Sequence, residues 1–220
     1  YGMSVFTPCA MVLGQIFNIK SVGRMFGTLS AKLIKKKQYF KLYTRNILDV
    51  LAIKFPCDLM ISTEDGTDYD FFAKAMNPKK DVSILYNDID KDLKNKLIGC
   101  YSEGTHINVK QLSLVYVGRF CYWKRQDLAV ETLLHLRQNS IDAKLTLVGD
   151  GPDFKKIKKQ ISACNLTNYV DFVNGIPQIE LPDLISQYDI SLFLYDNGNL
   201  GNALWEACLA GQLICVKNSG

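Results

Sequence analysis

The sequence predicts an α/β fold built on parallel sheets, and three observations carry that prediction. In residues 111–220, apolar runs of strand length alternate with helical patterns of about ten residues. The runs end at turn signals, as at Gly118 and at Gly149-Asp150-Gly151-Pro152. The composition, 48% hydrophobic and 22% charged, is that of a globular chain able to fill a core. Strands joined through helices make right-handed crossovers, so the sheet is parallel and ligands are expected at its carboxyl edge.

The elements follow in chain order. Residues 3–17 are apolar but interrupted by Thr7, Pro8 and Gln15, short of the ~20 apolar residues of a membrane span, and read as a buried strand, turn and helix. Gly23 and Gly27 bracket a strand within residues 21–28. Residues 29–55 are helical in pattern until Pro56 stops them. Residues 58–61 form a short strand and 62–70 a polar loop; 71–76 form a helix closed by Asn77-Pro78, and 82–86 a further strand. Residues 91–110 read as a connector, helical over 91–98 and broken by Gly99 and Gly104, which sets the domains at 1–110 and 111–220. The second half reads strand 112–117, helix 127–138, strand 144–148, helix 153–164, strand 170–173, helix 178–187, strand 189–194, helix 201–210 and strand 212–216.

Charge and cysteine usage narrow the function classes. Net charge is +4, with 16 basic against 11 acidic residues in 1–110 and 10 against 11 in 111–220. Residues 20–54 carry nine basic residues and one acid, Asp49, with Lys35, Lys36, Lys37 and Lys41 interleaved with Tyr39 and Phe40. That stretch suits an anionic membrane surface or a solvated basic helix; no nucleic-acid reader motif accompanies it, so no nucleic acid is expected as partner. Seven cysteines lack paired metal-ligand spacing and lie among apolar neighbours, which fits reduced, packed thiols in a cytoplasmic protein. With two histidines, and acids at 64, 65, 68 and 70 that miss the register of a calcium loop, no metal and no cofactor are expected. Both ends read as cuts through an α/β unit, so the chain is expected to be a fragment of a longer protein.

Three loops leaving the carboxyl edge hold the candidate site. Arg119 and Lys124 follow the first strand; a planar fork and a compact ammonium suit a diphosphate, and both also suit solvated loop charges. Gly149 and Gly151, around Asp150, let backbone approach a ligand. The third loop leads through Asn199, a candidate cap, to the amides of Leu200, Gly201 and Asn202, which point out of a helix start toward an anion. Glu206 lies five residues beyond Gly201, roughly 7.5 Å along the axis; it suits either a charge on a solvated helix face or, with apolar residues around it, a carboxylate that meets the ribose of a nucleotide whose diphosphate sits at the helix start.

In order, Gly118-Arg119-Phe120 with Lys124, then Leu-Val-Gly-Asp-Gly-Pro at 147–152, Phe-Val-Asn-Gly-Ile-Pro at 172–177, and Asn-Leu-Gly-Asn-Ala-Leu-Trp-Glu-Ala-Cys-Leu-Ala-Gly at 199–211 resemble the donor domain of GT-B glycosyltransferases of family 4. The resemblance covers about residues 111–220. It implies two Rossmann-like domains: a truncated acceptor-side domain in 1–110 and a nucleotide-sugar-binding domain in 111–220, truncated at its end. It further implies a nucleotide-diphosphate sugar as donor and transfer with retention of anomeric configuration, while the basic stretch at 20–54 is what suggests a bacterial envelope saccharide or lipid-linked sugar as acceptor. By the same likeness Arg119 and Lys124 contact the donor diphosphate, Glu206 the ribose, and the turns Gly149–Gly151 and Asn174–Ile176 the base; the backbone at 200–202 holds the distal phosphate and sugar. Two positions depart from the pattern. Gly198 stands where many members have a second Glu facing the donor sugar, which leaves the sugar unassigned; residues 24–28 occupy a segment where the family often has a His, and neither His106 nor His135 fits that position, so no catalytic base is assigned. A sugar-nucleotide epimerase and a non-catalytic GT-B binding subunit are the alternatives; the absence of Gly-x-Gly-x-x-Gly after any strand speaks against a dinucleotide enzyme.

Overall fold

Parallel pairing runs through both halves of the chain. The structure, a computed structural model, describes residues 6–26, 28–64, 66–78, 80–86, 89–99, 110–196 and 201–217. The chain divides into two compact units between residues 88 and 89.

The first unit contains α1 (Phe6–Ile16), β1 (Val22–Phe26), α2 (Ser30–Lys35), α3 (Tyr39–Arg45), α4 (Ile47–Lys54), β2 (Leu59–Glu64), α5 (Tyr69–Met76) and β3 (Asp81–Tyr86). The strands lie in the order β1-β2-β3, all parallel, with Val22 opposite Leu59 and Leu59 opposite Asp81. Met25, Leu42, Ile53, Met60, Tyr69 and Phe72 form the buried core. The strand expected before α1 lies outside the described residues.

Two differences from the sequence reading have local causes. The helical pattern of 29–55 is three helices, because Lys37 adopts a left-handed conformation (φ 54°) and closes α2: its N–H bonds to the Ile34 carbonyl, and that of Gln38 to Leu33. This is a glycine's usual task, performed by a lysine that carries no breaker signal. Strand β2 also runs into the predicted polar loop. Ser62 and Thr63 are buried there, and the Ser62 hydroxyl donates to the Met25 carbonyl at 3.4 Å. Beside β1, the buried carboxylate of Asp49 accepts from Thr28 Oγ1 at 2.7 Å and Ser30 Oγ at 2.8 Å, fixing the chain that enters α2.

The second unit contains α6 (Lys91–Gly99), β4 (Leu112–Val117), α7 (Gln126–Gln138), β5 (Ala143–Val148), α8 (Phe154–Ala163), β6 (Val170–Val173), α9 (Leu181–Ile185), β7 (Ile190–Phe193), α10 (Asn202–Leu209) and β8 (Leu213–Val216). Helix α6 falls in the connector that the sequence reading assigned to the first domain, yet it belongs to this unit: Lys96 bonds to Asp183 at 2.7 Å and to the Ile179 carbonyl at 2.8 Å. The expected helix 178–187 is a 3-10 turn, Gln178–Glu180, followed by the short α9 with Pro182 in its first turn.

The sheet order is β6-β5-β4-β7-β8, parallel throughout. Chain order runs outward from β4 to β6 and then jumps back to β7 on the other side. The loops after β4 and β7 therefore leave in opposite directions and open a crevice between them, where ligands bind in open α/β sheets. Leu114, Tyr116, Leu133, Leu145 and Leu147 fill the core beneath it.

Six cysteines are described, all free. Cys57 is packed as expected, whereas Cys9, Cys208 and Cys215 are exposed on α1, α10 and β8; apolar neighbours in sequence need not be neighbours in space. Among the described residues no helix is long and apolar enough to cross a membrane, and no cluster of three His, Cys, Asp or Glu has metal-binding geometry.

Candidate functional site

A cavity of about 390 Å³ opens at this edge of the second unit. Its floor is Val117-Gly118 and Val148-Gly149, the ends of β4 and β5; Gly175 and Ile176 form one wall, and Asn202, Ala203 and Glu206 of α10 another.

Two interlocking loops build the floor. Gly118 N–H bonds to the Val148 carbonyl at 2.9 Å, Phe120 N–H to Asp150 at 2.9 Å, and Asp153 N–H back to Phe120 at 3.1 Å. A side chain at Gly149 (φ 130°) would collide with the Gly118 carbonyl, and one at Gly151 with the backbone of Phe120. These glycines thus serve loop-against-loop contact. Phe120, fully buried, stacks edge-on to Phe154 at 5.5 Å and anchors the first loop from below. Gln126, also buried, donates from Nε2 to the Arg119 carbonyl at 2.9 Å.

Lys124 emerges from this loop with its stem beside Gly118 and its Nζ 3.6 Å from the Tyr195 ring centroid and 4.6 Å from that of Trp123. Burial among these rings lowers its pKa to about 8. Tyr116 OH donates to the Lys124 carbonyl, and Asp196 N–H bonds to the Trp123 carbonyl at 3.0 Å, which ties the loop after β4 to the loop after β7. Arg125, held at φ 59°, bridges Asp127 and Asp196, each at 2.8 Å; Lys217 adds a second cation to Asp196 at 2.6 Å. Partial burial pushes the Asp196 carboxyl up, but the bonds from Lys217 and Arg125 outweigh it and hold the pKa below the ordinary range.

Glu206 is 2% exposed, yet its side chain lines the cavity. Burial raises its pKa, and a 2.5 Å hydrogen bond from Gln178 Nε2 to Oε1 opposes that rise. The helix start is Gly201, with Asn202 on the cavity wall.

The structure therefore brings Glu206, Asn202, Gly149 and Ile176 onto one cavity, with Lys124 beside its floor. Arg119 is exposed on the same loop and is not among the lining residues, nor are Asn174, Gly151 and Asp150, whose carboxylate accepts from the Gly151 N–H at 2.6 Å. Leu200, with the expected cap Asn199, lies outside the described residues. Sequence reasoning missed Gln178, Gln126 and the Arg125–Asp196–Lys217 network, because each pairs residues across loops. Only the neighbouring Arg125 and Asp127 gave a local hint.

Residues 101–220 match the family model described as glycosyl transferases group 1. Among curated relatives, the N-acetyl-alpha-D-glucosaminyl L-malate synthase of Bacillus anthracis is 28% identical over 63% of this chain and 36% of its own length. A GDP-mannose-dependent alpha-(1-6)-phosphatidylinositol monomannoside mannosyltransferase of Mycobacterium tuberculosis is 26% identical over 68% of this chain and 41% of its length. The chain thus spans well under half the length of these relatives. HepE of Anabaena, crystallised with UDP and glucose, superposes with a TM-score of 0.70 at 18% identity, covering 97% of this chain and 57% of that one. WaaG, a glycosyltransferase involved in lipopolysaccharide biosynthesis, gives 0.66 at 17% identity over 90% and 56%. These structural likenesses show the fold, that of the GT-B glycosyltransferases. With more than half its length matched by the family model, and with the switch-point cavity described above, the chain belongs to the group 1 glycosyl transferases.

Proposed function

We infer that the protein transfers a sugar from a nucleoside-diphosphate donor to a saccharide or lipid-linked acceptor, and that the second unit holds the donor. The observation that carries this reading is the meeting of a buried carboxylate, Glu206, with a helix start and two glycine-ended strands on one cavity. Glu206 accepts from the ribose hydroxyls, and the base lies against Gly149, Gly175 and Ile176. Lys124, Arg119 turned inward from its exposed position, and the amides at Gly201 and Asn202 hold the diphosphate, with Leu200 assigned there from sequence. As the glycosidic bond to the diphosphate breaks, these groups stabilise the charge developing on the leaving group; that neutralisation needs no divalent metal. Retention of configuration is the outcome we assign, in line with the α-linked products named for the relatives.

The test is product analysis with radiolabelled nucleotide sugars and the full-length protein. Label transferred to a saccharide or lipid acceptor supports the reading. Label that stays on the nucleotide as an epimerised sugar, or no turnover with any donor, refutes it.

The acceptor side draws on the basic stretch. Phe40 is 82% exposed on α3 beside exposed Lys36, Lys37 and Lys41, a pairing of apolar ring and cations suited to an anionic lipid surface at the cytoplasmic face. Co-sedimentation with anionic vesicles, abolished by Phe40→Ser with Lys41→Glu, is the expected result; equal sedimentation with neutral vesicles contradicts it.

A further inference from the structure

Gln178 sits on the turn between β6 and α9, far from Glu206 in sequence, yet its Nε2 lies 2.5 Å from Glu206 Oε1. Both side chains line the same cavity. An ionised carboxylate only accepts, so the amide must present its NH₂ to it, and that contact fixes the plane of the carboxylate. The last torsion of a glutamate is otherwise broad. Held by one oxygen, Glu206 keeps the other for a ligand. We propose that Gln178 is a positioning residue for nucleotide-sugar selection: by holding Glu206 Oε1 it aims the remaining oxygen at a ribose diol and sets the discrimination against 2′-deoxyribonucleotides. The inference rests on Glu206 being the ribose acceptor, as inferred above.

The chemistry is one of lost partners. A 2′-deoxyribose removes one donor from a buried, aimed carboxylate, and such a loss weakens binding by about tenfold or more. If the carboxylate is free to turn, it can meet the remaining hydroxyl or another donor, and the difference shrinks. Gln178 is itself exposed, so replacing it leaves the core intact.

The experiment is calorimetric titration of the full-length protein with UDP, GDP and their 2′-deoxy counterparts, in wild type, Gln178→Ala and Gln178→Met. The wild type is expected to prefer the ribonucleotide by about tenfold. Both variants are expected to reduce that preference to about threefold or less, while affinity for the 2′-deoxy ligand changes by less than about twofold. Equal weakening toward both ligands makes the bond merely structural and overturns the proposal, as does an unchanged preference. A wild type without ribose preference overturns the role of Glu206. Binding of no nucleoside diphosphate overturns the proposed function itself, so the three failures are distinguishable.

Discussion

Lys124 carries its ammonium against the rings of Tyr195 and Trp123, 3.6 Å and 4.6 Å from their centroids, and burial there brings its pKa down to about 8. Two consequences follow from the sign of that shift. Between about 8 and the ordinary lysine value of 10.5 the unfolded chain holds the proton more firmly, so this group makes folding stability rise with pH across that window. Ligand binding runs the other way. Below about 8 the free protein presents a charged Lys124 to an incoming diphosphate; above it the charge is lost, and affinity falls. Titrations between pH 6.5 and 9.5 are expected to show affinity for a nucleoside diphosphate dropping through about 8. Lys124→Arg, whose guanidinium stays protonated, is expected to flatten that profile. The wild-type slope persisting in the arginine variant contradicts the assignment.

At the scale of elements, the site depends on the interlocked loops after β4 and β5. Gly151 has no room for a methyl group because the Phe120 backbone occupies that space. Gly151→Ala is expected to lower stability by about 2 kcal/mol and to weaken nucleotide binding together with it, read by denaturant unfolding and titration. A variant as stable as wild type shows that the loops do not bear on one another. The strand–helix alternation of residues 111–220 was legible because each strand is a short apolar run ending at a turn signal; the structure keeps those elements with ends moved by a few residues, except over 178–187, where a 3-10 turn and the short α9 replace one helix. The three helices of residues 29–55 were not legible, since Lys37 and Asn46 interrupt them without glycine or proline. Within the site, Glu206 was readable from its helical spacing, and Lys124 from its place beyond a strand-ending glycine. Gln178 was not, because a polar residue after Pro177 carries no sign of the carboxylate that it meets through folding.

For the whole molecule, two α/β units, each with an all-parallel sheet, and a matched family model connect the chain to enzymes that it spans only in part. Residues 111–220, proposed above to hold the donor, are the better defined in sequence because the candidate site is local: strand ends, a helix start and one carboxylate that a single sheet brings together. Among the described residues of the first unit the signal is more diffuse: exposed cations with aromatic residues on α3 and the chain beside it. We propose that Lys124 and Glu206 together hold one nucleoside diphosphate at the β4–β7 switch point. Titration of UDP and GDP, in metal-free buffer with chelator, into the full-length wild type, Lys124→Ala and Glu206→Gln decides this. Binding by the wild type, weakened by about tenfold or more in each variant, is the predicted result. Wild-type affinity in both variants would mean that neither side chain touches the nucleotide.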